Sequence, residues 1–136
     1  MQLILLLLFG SYISRSDILR HVIPNSALIA FASSALMLSF WRHDFVTRST
    51  FSLKVAVALF VLNWLTAGVM GMGDLKYLAL LSFLVGSSAV FLRGSIYSIG
   101  IAGLFALFYL LATRDFKTSV PLAPSITMGY LLALVI

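Results

Sequence analysis

Residues 55–92 read VAVALFVLNWLTAGVMGMGDLKYLALLSFLVGSSAVFL, and only two charges, Asp74 and Lys76, interrupt them. Nineteen uncharged residues precede Asp74 and sixteen follow Lys76. A helix on the surface of a soluble protein carries charges along one face. Here there is no such face. A helix needs about 20 apolar residues to cross ~30 Å of hydrocarbon, so the stretch reads as two membrane helices joined at a carboxylate.

The rest of the chain repeats the pattern. Splitting its 136 residues at the charged positions leaves uncharged runs at 1–14, 22–41, 55–73, 77–92, 94–113 and 118–136. Their lengths are 14, 20, 19, 16, 20 and 19 residues. The two shortest gain a turn from flanking Ser or Tyr and from Lys and Arg that snorkel to the interface. Lipid offers backbone groups no partner outside their own helix, and the period-2 alternation of a membrane barrel is absent. The expectation is an all-α integral membrane protein with six transmembrane helices in a single domain, 1–136. Its connectors are expected near 14–25, 42–54, 74–76, 93 and 114–120. Residues 1–14 carry no basic residue ahead of the apolar run, so they read as a retained first helix rather than a secretory signal.

Composition narrows the function. The chain is 62% hydrophobic with mean hydropathy +1.12, against roughly half apolar in a soluble domain. It has no cysteine and only two histidines, His21 and His43, which excludes disulfides, thiolate metal sites and a thiol nucleophile. No metal and no cofactor are expected. The net charge of +5 sits in short connectors, which points to anionic lipid head groups and away from nucleic acid.

Helix parity brings three connectors to one face of the membrane: those after the first, third and fifth helices. They hold Asp17, Asp74 and the Pro121–Pro124 segment. That face carries Arg15, Arg20, Lys76, Arg114 and Lys117; the other carries Arg42, Arg48, Lys54 and Arg93. The bias is small, but Arg15 and Arg20 directly follow helix one, and the positive-inside rule then places the Asp17/Asp74 face in the cytoplasm.

The only acidic side chains are Asp17, Asp44, Asp74 and Asp115. Asp44 and Asp115 stand among basic and polar neighbours and read as solvated loop charges. Asp17 and Asp74 stand at helix boundaries on the shared face. A charge near the membrane interior costs about 2.5–3.5 kcal/mol at the helix centre, less toward the interface, so such residues are usually functional or paired. Gly71 and Gly73 open the helix end beside Asp74 to a close backbone approach. A second reading has Gly-x-Gly end helix three and Asp74 cap helix four. Lys76 reads as a snorkelling charge. Pro24 and Asn25, in DILRHVIPN (17–25), read as punctuation at the start of helix two.

Two aspartates held close cannot both ionise, and they share one proton. The ionised partner takes a proton from a bound water. The protonated partner polarises a carbonyl and later protonates the leaving amine. That is aspartic proteolysis, and the two titrate as a unit.

SDILRHVIPN (16–25) followed by GMGDLK (71–76) resembles the type IV prepilin peptidase family of Gly-x-Gly-Asp membrane aspartic proteases. In that family the first aspartate precedes Ile-Pro-Asn by a fixed short spacing, and the second lies in Gly-x-Gly-Asp-x-Lys. The ending VPLAPSITMGYLLALVI (120–136) resembles the family's last helix, with Pro121, Pro124 and Gly129 in the expected places. The resemblance implies Asp17 and Asp74 as the catalytic pair. It implies supporting roles for Gly71, Gly73, Lys76, Pro24, Asn25, Pro121 and Pro124. It further implies cleavage of the basic leader of pilin-like precursors at the cytoplasmic face of the inner membrane, just before their hydrophobic helix. Larger family members add a cytoplasmic region, often with paired cysteines, and N-methylate the product. This chain resembles the short, peptidase-only form of tight-adherence (Flp-type) pili, so no methyltransferase activity is expected.

The residues also leave open an archaeal-type preflagellin peptidase, an inactive assembly subunit, and a non-enzymatic protein using Asp17 and Asp74 as an ion or proton site. The last needs a polar path to the far face, where Asp44 is the only acid.

Overall fold

A computed structural model describes residues 1–113 and 121–136 apart from Ala67 and Val69, with Ala112 and Thr113 described for the backbone alone. The expected connector around Arg114, Asp115 and Lys117 lies outside the described residues. Those residues form six helices: α1 (Gln2–Arg20), α2 (Asn25–Trp41), α3 (Phe45–Leu65), α4 (Met72–Val85), α5 (Ser88–Thr113) and α6 (Ala123–Val135). Three of them, α1, α3 and α5, are long and apolar enough to cross a membrane. At 1.5 Å per residue, α4 and α6, with 14 and 13 residues, are about 20 Å long. The all-helical expectation therefore stands, with span length met by three helices.

The helix boundaries differ from the charge-based reading: α1 runs on through Arg15 and Asp17 to Arg20, α3 ends at Leu65, and three further differences concern the charges. First, α3 starts at Phe45 and carries Arg48 and Lys54 inside it. Second, Asp74 and Lys76 do not precede α4 but lie within its first two turns. Third, α4 stops at Gly86 rather than at Arg93, which lies in the second turn of α5. Gly86 adopts φ +65° and its N–H bonds to Ser82 O at 2.9 Å, a left-handed cap that glycine takes without steric cost.

Arg48 explains its own place. It is buried, its Nε donates to Asp44 Oδ2 at 2.7 Å, and its Nη1 reaches the carbonyls of Phe83 and Leu84. The cation thus satisfies the carbonyl end of α4, and Gln2 Nε2 adds a bond to Leu84 O at 2.7 Å. Asp44 is therefore not a solvated loop charge but the half-buried partner of Arg48.

The core lies where α1, α2, α4 and α6 meet, with Leu6, Ile13, Phe31, Tyr77, Leu81 and Tyr130 almost fully buried. Phe31 lies 6.4 Å from the Tyr77 ring centroid and stacks on Phe9 at 5.3 Å. On the other side α6 packs along α5. Gly129 stands against Ser98 so closely that a Cβ would overlap the Ser98 backbone, as small residues allow between membrane helices. The outer surface is apolar: Trp64, Ile99, Phe108 and Leu111 are among many exposed hydrophobic side chains, which suits lipid contact.

Candidate active site

Asp17 sits in the last turn of α1, where the chain turns away through His21 at φ 50°, whose N–H bonds to Asp17 O at 2.8 Å. Asp17 is buried, 7% exposed. Oδ2 accepts the backbone N–H of Ala123 at 2.9 Å. Ala123 is the first residue of α6, so Asp17 satisfies one of the orphan donors of that helix and meets the positive end of its dipole. Pro124 follows at the second helical position, where its missing N–H leaves nothing unsatisfied. Pro121 is half-buried just before the cap residue Leu122. The proline segment therefore delivers α6 to Asp17.

Asp74 is the third residue of α4, half-buried. It is not the cap: Gly71 holds that position, in extended geometry with φ −63° and ψ 141°. Among the described residues the Asp74 carboxyl has no hydrogen-bond or ion-pair partner. The charge of Asp17 is felt at Asp74, so the two carboxyl groups stand near one another.

The glycines keep this space clear. A Cβ on Gly71 would stand 3.3 Å from Asp74 Oδ2, and one on Gly73 would stand 3.2 Å from Ile23 Cβ. The room beside Gly73 is therefore taken by the chain's own α1–α2 connector. Pro24 caps α2 in extended geometry. Asn25 makes no cap bond; its Oδ1 accepts Lys76 Nζ at 3.3 Å, tying α2 to α4. Lys76 pairs with neither aspartate.

A second set of polar side chains joins the helices that carry the aspartates. Thr127 of α6 stands between Tyr77 of α4 and Ser14 of α1. Tyr77 OH is 2.8 Å from Thr127 Oγ1, and Ser14 Oγ is 3.0 Å from the same atom. Thr127 Oγ1 also donates to Ala123 O at 2.8 Å. Tyr77 is three residues after Asp74 and Ser14 three before Asp17, so each shares a helix face with its aspartate. Sequence reading missed Thr127, Tyr77, Ser14 and Ala123. The i−3 and i+3 spacing of Ser14 and Tyr77 was the one signal available. Among the described residues, no group of three His, Asp, Glu or Cys side chains is placed to hold a metal ion.

Comparison with curated proteins and with solved structures finds no match. Comparison with protein families does find one, over residues 4–111. The match includes both aspartates and both glycines, on a chain with three helices able to cross a membrane. The protein belongs to the type IV leader peptidase family.

Proposed function

We propose that this membrane protein is an aspartic endopeptidase that removes the leader of Flp-type prepilins, with Asp17 and Asp74 as its catalytic dyad. The observation that carries the reading is the meeting of three helices at the pair: Asp17 Oδ2 accepts the Ala123 N–H at the start of α6, and Thr127 of α6 bonds Tyr77 and Ser14, one turn from Asp74 and Asp17.

The chemistry follows. The ionised aspartate takes a proton from a water whose oxygen bonds to the scissile carbonyl carbon, while the protonated aspartate hydrogen-bonds the carbonyl oxygen and polarises it. The protonated aspartate then gives its proton to the leaving nitrogen, the oxyanion re-forms the C=O bond and the C–N bond breaks. One proton remains on the pair, now on the other partner, and peptide plus water become an acid and an amine.

In this reading all six helices lie in the inner membrane as a Gly-x-Gly-Asp bundle, with the dyad toward the cytoplasm, where a basic leader is found. Gly71 keeps the dyad open to an extended peptide, and Lys76 with Asn25 holds the mouth of the site. No methyl transfer accompanies cleavage. An ion-site reading needs a polar route to the far face, and Asp44 there is committed to Arg48. The test is purified protein in lipid nanodiscs with an Flp-type prepilin, followed by mass spectrometry. Leader loss with an unmethylated new terminus is expected; no cleavage of any pilin-like precursor would overturn the proposal.

A further inference from the structure

A cleft opens between α3 and α5. At its closed end Phe51 of α3 meets Phe91 of α5 edge to face, with centroids 6.0 Å apart. From there the two helices run the same way and enclose a cavity of about 270 Å³, lined by Leu59 and Leu62 of α3 and Ile99 and Ala102 of α5. Met70, Leu122 and Ser125 also line it. Leu122 directly precedes Ala123, whose N–H holds Asp17, and Met70 directly precedes Gly71. Two of its walls are thus one residue along the chain from the groups that hold and flank the dyad. Its outer lip is apolar and open, with Ile99 73% and Leu62 53% exposed.

One polar atom in it is unaccounted for. Ser125 is fully buried, and among the described residues its Oγ has no hydrogen-bond partner. The other two lining hydroxyls are committed: Ser95 bonds Phe91 O and Tyr130 OH, and Ser98 bonds Gly94 O and Ile126 O. A helical serine ordinarily turns back to a carbonyl of the preceding turn, and an unmade buried bond is costly. The cleft thus presents apolar walls, with one spare hydroxyl buried behind them. It is smaller than an ordinary ligand pocket of ~300–1,000 Å³, with room for one or two apolar side chains of a peptide.

We propose that this cleft is the subsite for the first apolar residues on the carboxyl side of the cut bond, entered sideways from the bilayer between α3 and α5. The inference rests on the prepilin peptidase reading, since it takes the substrate to be a peptide cut just ahead of an apolar segment.

The test has two arms in nanodiscs. In the first, the Asp17→Asn/Asp74→Asn protein holds uncut prepilin, with photoreactive benzoylphenylalanine in place of either Ala102 or Ile29, the latter in the groove between α2 and α4. Crosslinks from position 102 to the first residues after the cut, and none from position 29, are expected. Crosslinks from 29 alone, or lipid as the only capture at 102, would overturn the proposal. In the second arm, Ala102→Phe in the active enzyme narrows the cleft. The ratio of kcat/KM for prepilins with Phe or Ala after the cut should fall by about tenfold or more; an unchanged ratio overturns the subsite. Failure of the wild type to cut either prepilin would instead overturn the peptidase reading, and the crosslinking arm still reads the cleft independently.

Discussion

Thr127→Val isolates the polar brace behind the dyad. Valine keeps the branched shape but loses the hydroxyl that lies 2.8 Å from Tyr77 OH and 3.0 Å from Ser14 Oγ. Tyr77 is fully buried, so its hydroxyl loses its partner where no water replaces it. In soluble proteins such a loss costs about 1–3 kcal/mol, whereas polar contacts between membrane helices average nearer 0.6 and reach at most about 1.7 kcal/mol. With two hydroxyls affected, about 1–2 kcal/mol is expected, or roughly tenfold in the folding equilibrium. The larger effect falls on rate. If α1 and α4 relax by an ångström relative to each other, turnover drops by up to about a hundredfold. The assay is prepilin cleavage in nanodiscs with kcat and KM separated, beside unfolding in denaturant. Expected are a fall in kcat of about ten- to a hundredfold, an unchanged KM, since Thr127 touches no substrate, and recovery by Thr127→Ser. Wild-type kcat in a destabilised Thr127→Val protein would refute the reasoning.

Gly73→Ala should slow cleavage because its Cβ would stand 3.2 Å from Ile23 Cβ; Ile23→Gly, which removes that atom, should restore much of the loss, and strictly additive losses would speak against that contact. Arg48→Met should destabilise the fold by roughly 2–4 kcal/mol by leaving Asp44 unpaired and α4 uncapped, without changing kcat of the folded fraction. A melting curve matching wild type would show that the ion pair contributes nothing.

Long uncharged runs marked the helices because lipid gives a backbone no other solution, and parity led to the expectation that Asp17, Asp74 and the proline segment stand together, of which the Asp17–Ala123 bond joins the first and last. Charges, however, were poor markers of helix ends. Arg48 is buried inside α3 because the end of α4 needs a donor, a need set by packing between distant helices. Arg93 lies exposed in α5, while Gly86, uncharged, makes the actual break. The donor to Asp17 and the Thr127 brace depend on the register of α6 against α1 and α4. No local pattern encodes that register, because every face of these helices is apolar.

The central claim is that Asp17 and Asp74 together cut the prepilin. The most direct measurement is leader removal, by mass spectrometry, in cells co-expressing an Flp-type prepilin with wild type, Asp17→Asn or Asp74→Asn at matched membrane levels. Cleavage by the wild type and by neither variant is the predicted result. Undiminished cleavage by either variant would contradict the dyad.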